Sequence, residues 1–298
     1  MIYVITGATA SGKTALSLRF AKAIGAHIIN ADAFQVYRGL DIGTAKASLN
    51  QRQEIPHHLI DIVDPDQGYD VRAYQSDARN VIDDLNKKNI PIIIVGGTGL
   101  YIRAALFDYF FPQHNQDFAP IDTTKSNQEL HEQLQSIDAD AAKNIHPNNR
   151  KRIIRALEIF YATGISKSEH LHKVAPNQLY DALFVGIKHD RTMLYERVNR
   201  RVLDMVSAGL LDEVRSLYDR YGKNARALQA IGYKEFFPYF EGQATLQEAI
   251  IKLQQANRNY IKRQDTFFKH QLPMTWFANA DEAFAYLMRA HEHNGSTT

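Results

Sequence analysis

The sequence predicts an α/β fold in which helices flank a parallel sheet that carries a P-loop, and a helical insertion interrupts this core. Three observations support the prediction. Strand and helix patterns alternate through the first half of the chain, which is typical of βαβ units. A glycine-rich loop of the P-loop pattern follows the first strand. Residues 112–126 are then rich in Pro, Gln, Asn, Asp and Thr, a loop composition, before helical segments begin.

The elements follow the hydrophobic pattern in chain order. Short apolar runs predict strands at residues 2–6, 27–30, 58–63, 90–95 and 183–187. Amphipathic segments predict helices at residues 14–24, 70–88, 127–136, 148–162 and 245–270, with another starting near residue 190. His57 and His58 are expected to begin the third strand rather than to bind a metal, because no carboxylate stands near them at ligand spacing.

These patterns divide the chain into two predicted domains. Residues 1–111 and 181–298 are expected to form the P-loop core, and residues 112–180 a helical insertion domain. Residues 291–298 are expected to be a frayed tail. A content of 45% hydrophobic and 23% charged residues is that of a soluble globular protein, and it excludes a disordered or fibrous chain.

The composition also excludes several functional classes. Without any cysteine, the chain has no disulfide, no thiolate zinc site and no cysteine nucleophile. No apolar run approaches the roughly 20 residues that span a bilayer, and no secretory signal precedes the first strand. We therefore expect a cytoplasmic protein with no membrane partner. The formal net charge of +2 is too small to indicate a nucleic-acid partner, so any polyanion site depends on local clusters of Lys and Arg.

The glycine-rich loop fits the pattern G-x-x-x-x-G-K-[ST]. It consists of Gly7, Ala8, Thr9, Ala10, Ser11, Gly12, Lys13 and Thr14. Its glycines let backbone N–H groups converge on phosphate oxygens, and the start of the following helix adds a favourable dipole. Lys13 supplies a cation, and the Thr14 hydroxyl is of the type that binds Mg²⁺. The sequence therefore predicts binding of a diphosphate or triphosphate rather than a plain glycine-rich turn.

A carboxylate follows the second predicted strand. In open α/β sheets the carboxyl ends of parallel strands meet at the ligand crevice, so Asp32 is expected to face a phosphate held by the P-loop. The strand that ends at Val95 runs instead into Gly96 and Thr98 without a carboxylate. Asp32 could accept a proton, cap a helix or bind a Mg²⁺-coordinated water, and these three roles stay open at this point.

A cationic helix face is predicted within the insertion. Arg150, Lys151, Arg152 and Arg155 open a helix, and pairs three or four residues apart share one face. Cations near a helix N-terminus oppose the dipole, so a phosphate backbone nearby would relieve that cost. A solvated helix face is the competing interpretation.

Six segments resemble the family of bacterial tRNA dimethylallyltransferases, also called tRNA isopentenyltransferases. They are GATASGKT, DAFQVYRGLDIGTAK, VGGTGLYI, HPNNRKRIIRALEI, QAIGYKE and NRNYIKRQDTFF, and they span about residues 2–270 in the family's order. Two residues depart from the family pattern: Ala8 stands where Pro is usual, and Ala33 stands where Ser is usual. The second departure removes a hydroxyl that would contact the substrate base.

The resemblance implies transfer of a dimethylallyl group from its diphosphate to N6 of adenine 37 in tRNA. Mg²⁺ is the expected cofactor, and dimethylallyl diphosphate and the tRNA anticodon stem-loop are the expected partners of a monomeric enzyme. Asp32 would act as general base, and Lys13 and Thr14 would stabilise the leaving diphosphate together with the rest of the P-loop. Arg197, or another arginine of the helix at residues 191–201, would also bind the diphosphate. The target base must leave the stack to reach a buried site.

The resemblance further implies a set of residues that contact tRNA. They are Asp32, Ala33, Phe34, Gln35, Thr98, Lys151, Arg152, Arg155, Gly232, Tyr233, Lys234, Arg258, Lys262, Arg263 and Lys269. Gln35 would read the flipped adenine, since an amide can bond adenine at two positions. Thr98 would guard the channel where tRNA and prenyl donor meet.

Three alternatives share parts of this pattern. A small-molecule or nucleotide kinase would have the P-loop and parallel sheet, bind ATP, and use the insertion as a lid with arginines that reach the transferred phosphoryl group. An adenylate isopentenyltransferase would perform the same chemistry on a free nucleotide, without need of the basic helices. An RNA-binding ATPase would leave Asp32 without a role, because hydrolysis needs a residue that positions water.

Overall fold

The structure is a computed structural model that describes residues 1–109, 111, 121–166, 168–169 and 177–295. The chain forms two compact units. The first consists of Met1–Leu106 and Tyr180–Thr298, and the second of Phe107–Leu179. The first unit contains the sheet, whereas the described part of the second consists mainly of helices. Residues 112–120 of the predicted loop lie outside the described residues.

In the described part of the chain, a six-stranded sheet forms the centre of the first unit. Its strands are β1 (Ile2–Thr6), β2 (His27–Asn30), β3 (His57–His58), β4 (Ile92–Gly96), β5 (Ala182–Ile187) and β6 (Thr275–Phe277). All neighbouring strands are parallel, in the order β3-β2-β4-β1-β5-β6. The predicted α/β class with a parallel sheet is confirmed, and the carboxyl ends of β1, β2 and β4 lie side by side.

The helices connect and cover the strands. They are α1 (Lys13–Ile24), α2 (Leu49–Glu54), α3 (Val71–Lys87), α4 (Gly99–Leu106), α5 (Asn127–Ile137), α6 (Ala139–Asn144), α7 (Arg150–Thr163), α8 (Arg191–Ser207), α9 (Leu210–Tyr221), α10 (Phe237–Phe240), α11 (Leu246–Gln271) and α12 (Ala280–Gly295). Two 3₁₀ helices, Ala227–Gln229 and Lys234–Phe236, precede α10. Across the described residues, we find no helix with the length and apolar character that crossing a membrane requires.

Strand β1 lies in the middle of the sheet and positions the P-loop. It pairs with β4 on one side and β5 on the other, and all of its residues are buried. Leu16 and Phe20 of α1 pack onto the same core. Burial of one such apolar side chain contributes about 1.5–3 kcal/mol to the free energy of unfolding. The loop between β1 and α1 is therefore anchored at both of its ends.

The third strand is much shorter than predicted. It ends at His58, because Leu59 and Asp61 adopt left-handed φ angles of 61° and 55° that break the extended backbone. The Asp61 carboxylate accepts hydrogen bonds from Lys46 at 2.6 Å and from Arg52 at 2.5 Å, which hold the chain in this turn. These ion pairs connect Asp61 to residues 15 and 9 positions earlier in the chain, outside the predicted strand, so the apolar pattern of 58–63 carries no sign of them.

The prediction of a frayed tail is wrong for residues 291–295, which continue α12. Ala283 and Leu287 of this helix are buried in the same cluster as Tyr3, and the Tyr3 hydroxyl lies 3.0 Å from Nδ1 of His291. Packing against β1 thus extends the helix toward its end. The remaining tail, 296–298, lies outside the described residues.

The second unit has a small core of its own. Leu130 and Leu134 of α5 pack with Ile153 and Leu157 of α7, and all four side chains are fully buried. Arg150 at the start of α7 donates hydrogen bonds to the carbonyls of residues 123 and 125. The remaining predicted cations of α7 therefore stand on a helix that is fixed from its first residue.

Candidate active site

The carboxyl ends of β1, β2 and β4 open into a cavity of about 480 Å³ within the first unit, and α8 and α11 contribute to its wall. Several of the predicted site residues line this cavity. They are Thr9, Lys13, Thr14, Asp32, Ala33, Phe34, Gln35, Thr98, Gly232, Lys234 and Arg263. The fold therefore brings together residues from widely separated motifs around one space.

The P-loop presents main-chain donors at this cavity. Gly12 precedes the first turn of α1 with a left-handed φ of 90°, and Ala10 has a φ of 65°. No side chain of the described residues caps α1, which leaves its first amides available to an anion. The Ser11 hydroxyl is buried without a hydrogen-bond partner among the described residues, and Lys13 Nζ donates to the Ala8 carbonyl at 3.2 Å. This geometry suits a phosphate group.

Two cations and one carboxylate interact at this end of the cavity. Burial and the nearby Arg201 guanidinium lower the pKa of Lys13 to about 8, while the Asp32 carboxylate acts in the opposite direction. Burial also lowers the pKa of Arg201, and Asp32 again opposes the change. Neighbouring cations disfavour each other's charged form, and an added anion reverses that effect. The electrostatics therefore favour an anionic ligand beside Lys13 and Arg201.

Arg201 is a cavity residue that the sequence analysis did not single out. It lies in α8 between the buried Val198 and Val202, and it lines the cavity. Arg197, the predicted diphosphate ligand, is exposed and is not among the residues that line the cavity; its Nη1 lies 3.2 Å from Nε2 of His189. The helical spacing of Val198 and Val202 could have indicated Arg201, because these buried valines mark the face of the helix that points to the core.

Asp32 is held in a defined position at the end of β2. Its backbone N–H donates to Oδ1 of Asn30, and its own Oδ1 accepts from the backbone N–H of Phe34, both at 3.0 Å. Asn30 is buried and is fixed in turn by a hydrogen bond to the Leu59 carbonyl at 2.9 Å. One carboxylate oxygen therefore orients the turn as a capping group would, and the side chain still lines the cavity.

The turn after β4 lies directly against the end of β2. A Cβ at Gly96 would come within 2.2 Å of the Ala31 backbone, so only glycine permits this approach. The Thr98 N–H donates to the Ala31 carbonyl, and the Thr98 hydroxyl accepts from the backbone N–H of Ala33, both at 3.0 Å. Thr98, the predicted channel residue after β4, is thus bonded to the end of β2, which carries Asp32, the predicted general base.

Gln35 and the segment after it form another wall of the cavity. The Gln35 amide donates to the Thr44 carbonyl at 3.0 Å, and both residues line the cavity. Gly232 and Lys234, from the C-terminal part of the chain, also line the cavity. Tyr233 between them is fully buried, and its hydroxyl donates to a carboxylate oxygen of Glu213 at 2.7 Å. Its side chain therefore supports the wall from behind.

Gln264 in α11 is a second residue that the sequence analysis missed. It is 3% exposed, accepts a hydrogen bond from the Thr9 N–H at 2.9 Å, and donates to the Gly97 carbonyl at 3.0 Å. Tyr260, one turn earlier, donates to the same carbonyl at 3.2 Å, and burial raises its pKa to about 12. A polar residue at helical spacing from Tyr260 in an otherwise cationic segment is a weak signal, and sequence reasoning did not use it.

The predicted tRNA-contacting cations occupy both units. On α11, Lys262, Arg263 and Lys269 are exposed, and the half-buried Arg258 donates to Asn199 at 2.8 Å. In the second unit, the exposed cations of α7 are Lys151, Arg152 and Arg155. The last of these pairs with Glu158 at 3.0 Å. Each helix therefore presents a cationic surface to solvent.

Comparison with known proteins gives consistent results. A sequence model of the IPP transferase family matches residues 35–271. The tRNA dimethylallyltransferase of Geobacillus thermodenitrificans is 44% identical over 291 residues, which cover 95% of this chain and 92% of that protein. The tRNA dimethylallyltransferase of Bacillus subtilis is 44% identical over 283 residues, which cover 93% and 90% of the two chains.

Solved structures show the same similarity. The tRNA delta(2)-isopentenylpyrophosphate transferase of Staphylococcus epidermidis matches with a TM-score of 0.72 and 37% identity, and the match covers 100% of this chain and 99% of that one. A eukaryotic dimethylallyltransferase acting on tRNA matches with a TM-score of 0.80 and 29% identity over 92% of this chain and 73% of the other. Sequence and fold therefore agree over almost the whole length of this chain.

Proposed function

This chain belongs to the IPP transferase family and is an enzyme that prenylates tRNA, and from this premise we propose that it transfers a dimethylallyl group from dimethylallyl diphosphate to N6 of adenine 37. One observation carries the proposal: a single cavity is lined by Lys13 of the P-loop and by Arg201, with Asp32 near both cations, and also by Gln35 and Thr98. A donor with an anionic head and an acceptor base would thus meet inside it.

The donor's diphosphate would bind at the P-loop. Negative charge grows on the bridging oxygen as the carbon–oxygen bond breaks, so fixed donors there stabilise the transition state. The uncapped amides at the start of α1, together with Lys13 and Arg201, would supply such donors. This assignment makes Arg201, in addition to or in place of Arg197, a ligand of the diphosphate.

Mg²⁺ is the cation proposed to accompany the diphosphate. The exposed Thr14 hydroxyl lines the cavity beside Lys13, and the described residues contain no group of three His, Cys, Asp or Glu side chains that would form a protein-only cage. This donor set fits Mg²⁺, which prefers a few protein oxygens together with phosphate and water. When bound, the ion would neutralise charge on the leaving diphosphate.

Asp32 is proposed as the general base for the acceptor. The bond from the prenyl carbon to the diphosphate oxygen breaks while a bond from that carbon to N6 forms, and one N6 proton must leave. The Asp32 carboxylate lines the cavity, and a carboxylate is suited to accept this proton. Gln35 would bond the edge of the adenine, which enters the cavity after it leaves the base stack.

The basic helices are proposed to hold the tRNA. Exposed Lys and Arg side chains on α7 and α11 are suited to phosphate oxygens of the anticodon stem-loop, which fix the position of the tRNA without reading its sequence. Residues 112–180 would in this way serve as a tRNA-contacting insertion. A free nucleotide would not need these two surfaces, which favours tRNA over adenylate as the acceptor.

A transfer assay tests the proposal. The enzyme is incubated with Mg²⁺, labelled dimethylallyl diphosphate and unmodified tRNA, and in parallel with labelled ATP. We expect label from the prenyl donor on adenine 37 of tRNA and none on free AMP. Phosphoryl transfer from ATP without prenyl transfer would contradict the proposal and support a kinase.

The role of Asp32 is tested by Asp32→Asn, with Asp84→Asn on the exposed face of α3 as a matched control. Loss of a general base lowers turnover by about 100-fold to 10,000-fold. We expect such a loss for Asp32→Asn with donor affinity nearly unchanged, and full activity for the control. Loss of donor binding instead would show that Asp32 acts through the metal.

A further inference from the structure

Glu213 in α9 binds a turn of the main chain that forms part of the cavity wall. Its carboxylate accepts hydrogen bonds from the backbone N–H groups of Asp41, Ile42 and Gly43 at 3.1, 2.7 and 3.0 Å. The Tyr233 hydroxyl donates to the same carboxylate at 2.7 Å. Successive N–H groups that converge in this way form an anion-binding concavity, and here the anion is a side chain of the protein itself.

This contact joins two motifs that the sequence analysis quoted only for their resemblance. Asp41, Ile42 and Gly43 belong to DIGTAK, and Tyr233 belongs to QAIGYKE. A Cβ at Gly43 would lie 2.6 Å from the Tyr233 ring, so the two segments are in close contact. Glu213 stands between the motifs and bonds to both.

The turn held by Glu213 leads directly to the partner of Gln35. Thr44 follows Gly43, and its carbonyl accepts from the Gln35 amide nitrogen at 3.0 Å. A carbonyl accepts only from the nitrogen of an amide. The position of Thr44 therefore decides which way the Gln35 amide faces, and its oxygen is left available to accept a hydrogen bond from another group.

We propose that Glu213 is a positioning residue for base recognition: it holds the 41–43 turn so that the Thr44 carbonyl fixes the orientation of the Gln35 amide. The inference rests on the proposed function, in which Gln35 bonds the edge of adenine. An amide already turned toward the base loses less rotational freedom on binding and cannot present its nitrogen where its oxygen is needed. Glu213 itself does not line the cavity, so its effect on the base is indirect.

Glu213→Gln is the variant that tests this role. It keeps the size of the side chain but replaces one acceptor oxygen with a donor that faces other donors. Losing hydrogen bonds to a charged group typically changes an equilibrium constant by about tenfold or more. We expect the KM for tRNA to rise by about tenfold with a fall in kcat, and the Kd for dimethylallyl diphosphate to stay within about twofold.

Two further measurements separate positioning from a general loss of structure. Glu241→Gln makes the same chemical change at a surface carboxylate bonded by Tyr218 and Lys223, and we expect normal kinetics for it. A double-mutant cycle combines Glu213→Gln with Gln35→Leu. If Glu213 acts through Gln35, the second substitution removes most of the effect of the first.

The outcomes are distinct. An unchanged KM for tRNA in Glu213→Gln, equal losses for both substrates, or full additivity in the cycle would each overturn the inference. If Glu213→Gln does not fold, Glu213→Asp keeps the charge and shortens its reach, and a smaller rise in the same KM is then expected. Failure of the unsubstituted enzyme to prenylate tRNA would instead refute the proposed function.

Discussion

The Gln264 side chain accepts a hydrogen bond from the Thr9 backbone N–H at 2.9 Å, although the two residues are 255 positions apart. The same amide donates to the Gly97 carbonyl at 3.0 Å. One buried side chain thus links the P-loop, the proposed site of the donor diphosphate, to the turn that precedes Thr98. Because the Thr9 N–H is engaged in this way, the proposed diphosphate site would rely on the later amides of the loop.

Gln264→Leu should loosen both the P-loop and the turn that precedes Thr98. The substitution leaves the Thr9 N–H and the Gly97 carbonyl with one partner fewer, and an unsatisfied buried group costs about 1–3 kcal/mol. We expect a lower free energy of unfolding by that amount and a higher KM for dimethylallyl diphosphate. Urea denaturation and steady-state kinetics measure the two effects. Gln255→Leu, at an exposed position of α11, is the control, and equal behaviour of the two variants would refute the link.

Arg201→Ala and Arg197→Ala should differ in donor affinity. Arg201 lines the cavity beside Lys13, whereas Arg197 is exposed and lies near His189. Hydrogen bonds to charged groups contribute about 1.5–3 kcal/mol, so we expect the Kd for dimethylallyl diphosphate to rise by about tenfold or more in Arg201→Ala and to change little in Arg197→Ala. Isothermal titration calorimetry gives both values. The reverse order would restore Arg197 as the main ligand.

The histidines of β2 and β3 should make the protein less stable in acid. Burial lowers the pKa of His27, His57 and His58, and nearby His27 lowers that of His58 further. Below the unfolded pKa of about 6.5 the unfolded chain therefore binds protons that the folded chain does not, so the free energy of unfolding falls as the pH falls.

Urea denaturation at a series of pH values from neutral to mildly acidic measures this dependence. His58→Gln removes one titrating group and should flatten the slope. A slope that is the same with and without this substitution would show that His58 is protonated equally in the folded and unfolded states.

Lys151→Ala and Lys262→Ala should each weaken tRNA binding without changing donor binding. Both side chains are exposed on the helices proposed to contact phosphates. Loss of one phosphate contact lowers the slope of log K against log salt by about 1. Filter binding at several salt concentrations measures the slope, and Lys87→Ala on the exposed end of α3 is the control. Unchanged slopes in both variants would remove these helices from the tRNA surface.

The parts of the molecule that sequence predicted are those encoded locally. The P-loop pattern between a strand and a helix predicted that Lys13 and Thr14 belong to the site. The position of Asp32 after the second strand predicted that it faces the same site, because the carboxyl ends of parallel strands converge. All three line the cavity. The parallel sheet followed from apolar runs that alternate with helical periods.

The parts that sequence missed depend on contacts between distant residues. The third strand stops early because Asp61 is held in a turn by Lys46 and Arg52. Gln264 carries only a weak local signal and Glu213 carries none, since their roles follow from main-chain groups that the fold brings to them. The helix that contains Arg201 was predicted, but the choice of its inward face required knowledge of the packing.

The central place of β1 has a consequence for the order in which the chain folds. Its two neighbours, β4 and β5, are separated in sequence by the whole second unit. While the ribosome is still synthesising residues 107–179, one edge of β1 has no partner strand and stays open to other chains. The P-loop is then attached to an incomplete sheet. Contacts of such high sequence separation slow folding. Covering the open edge of β1 until β5 has emerged would therefore keep it from pairing with other chains.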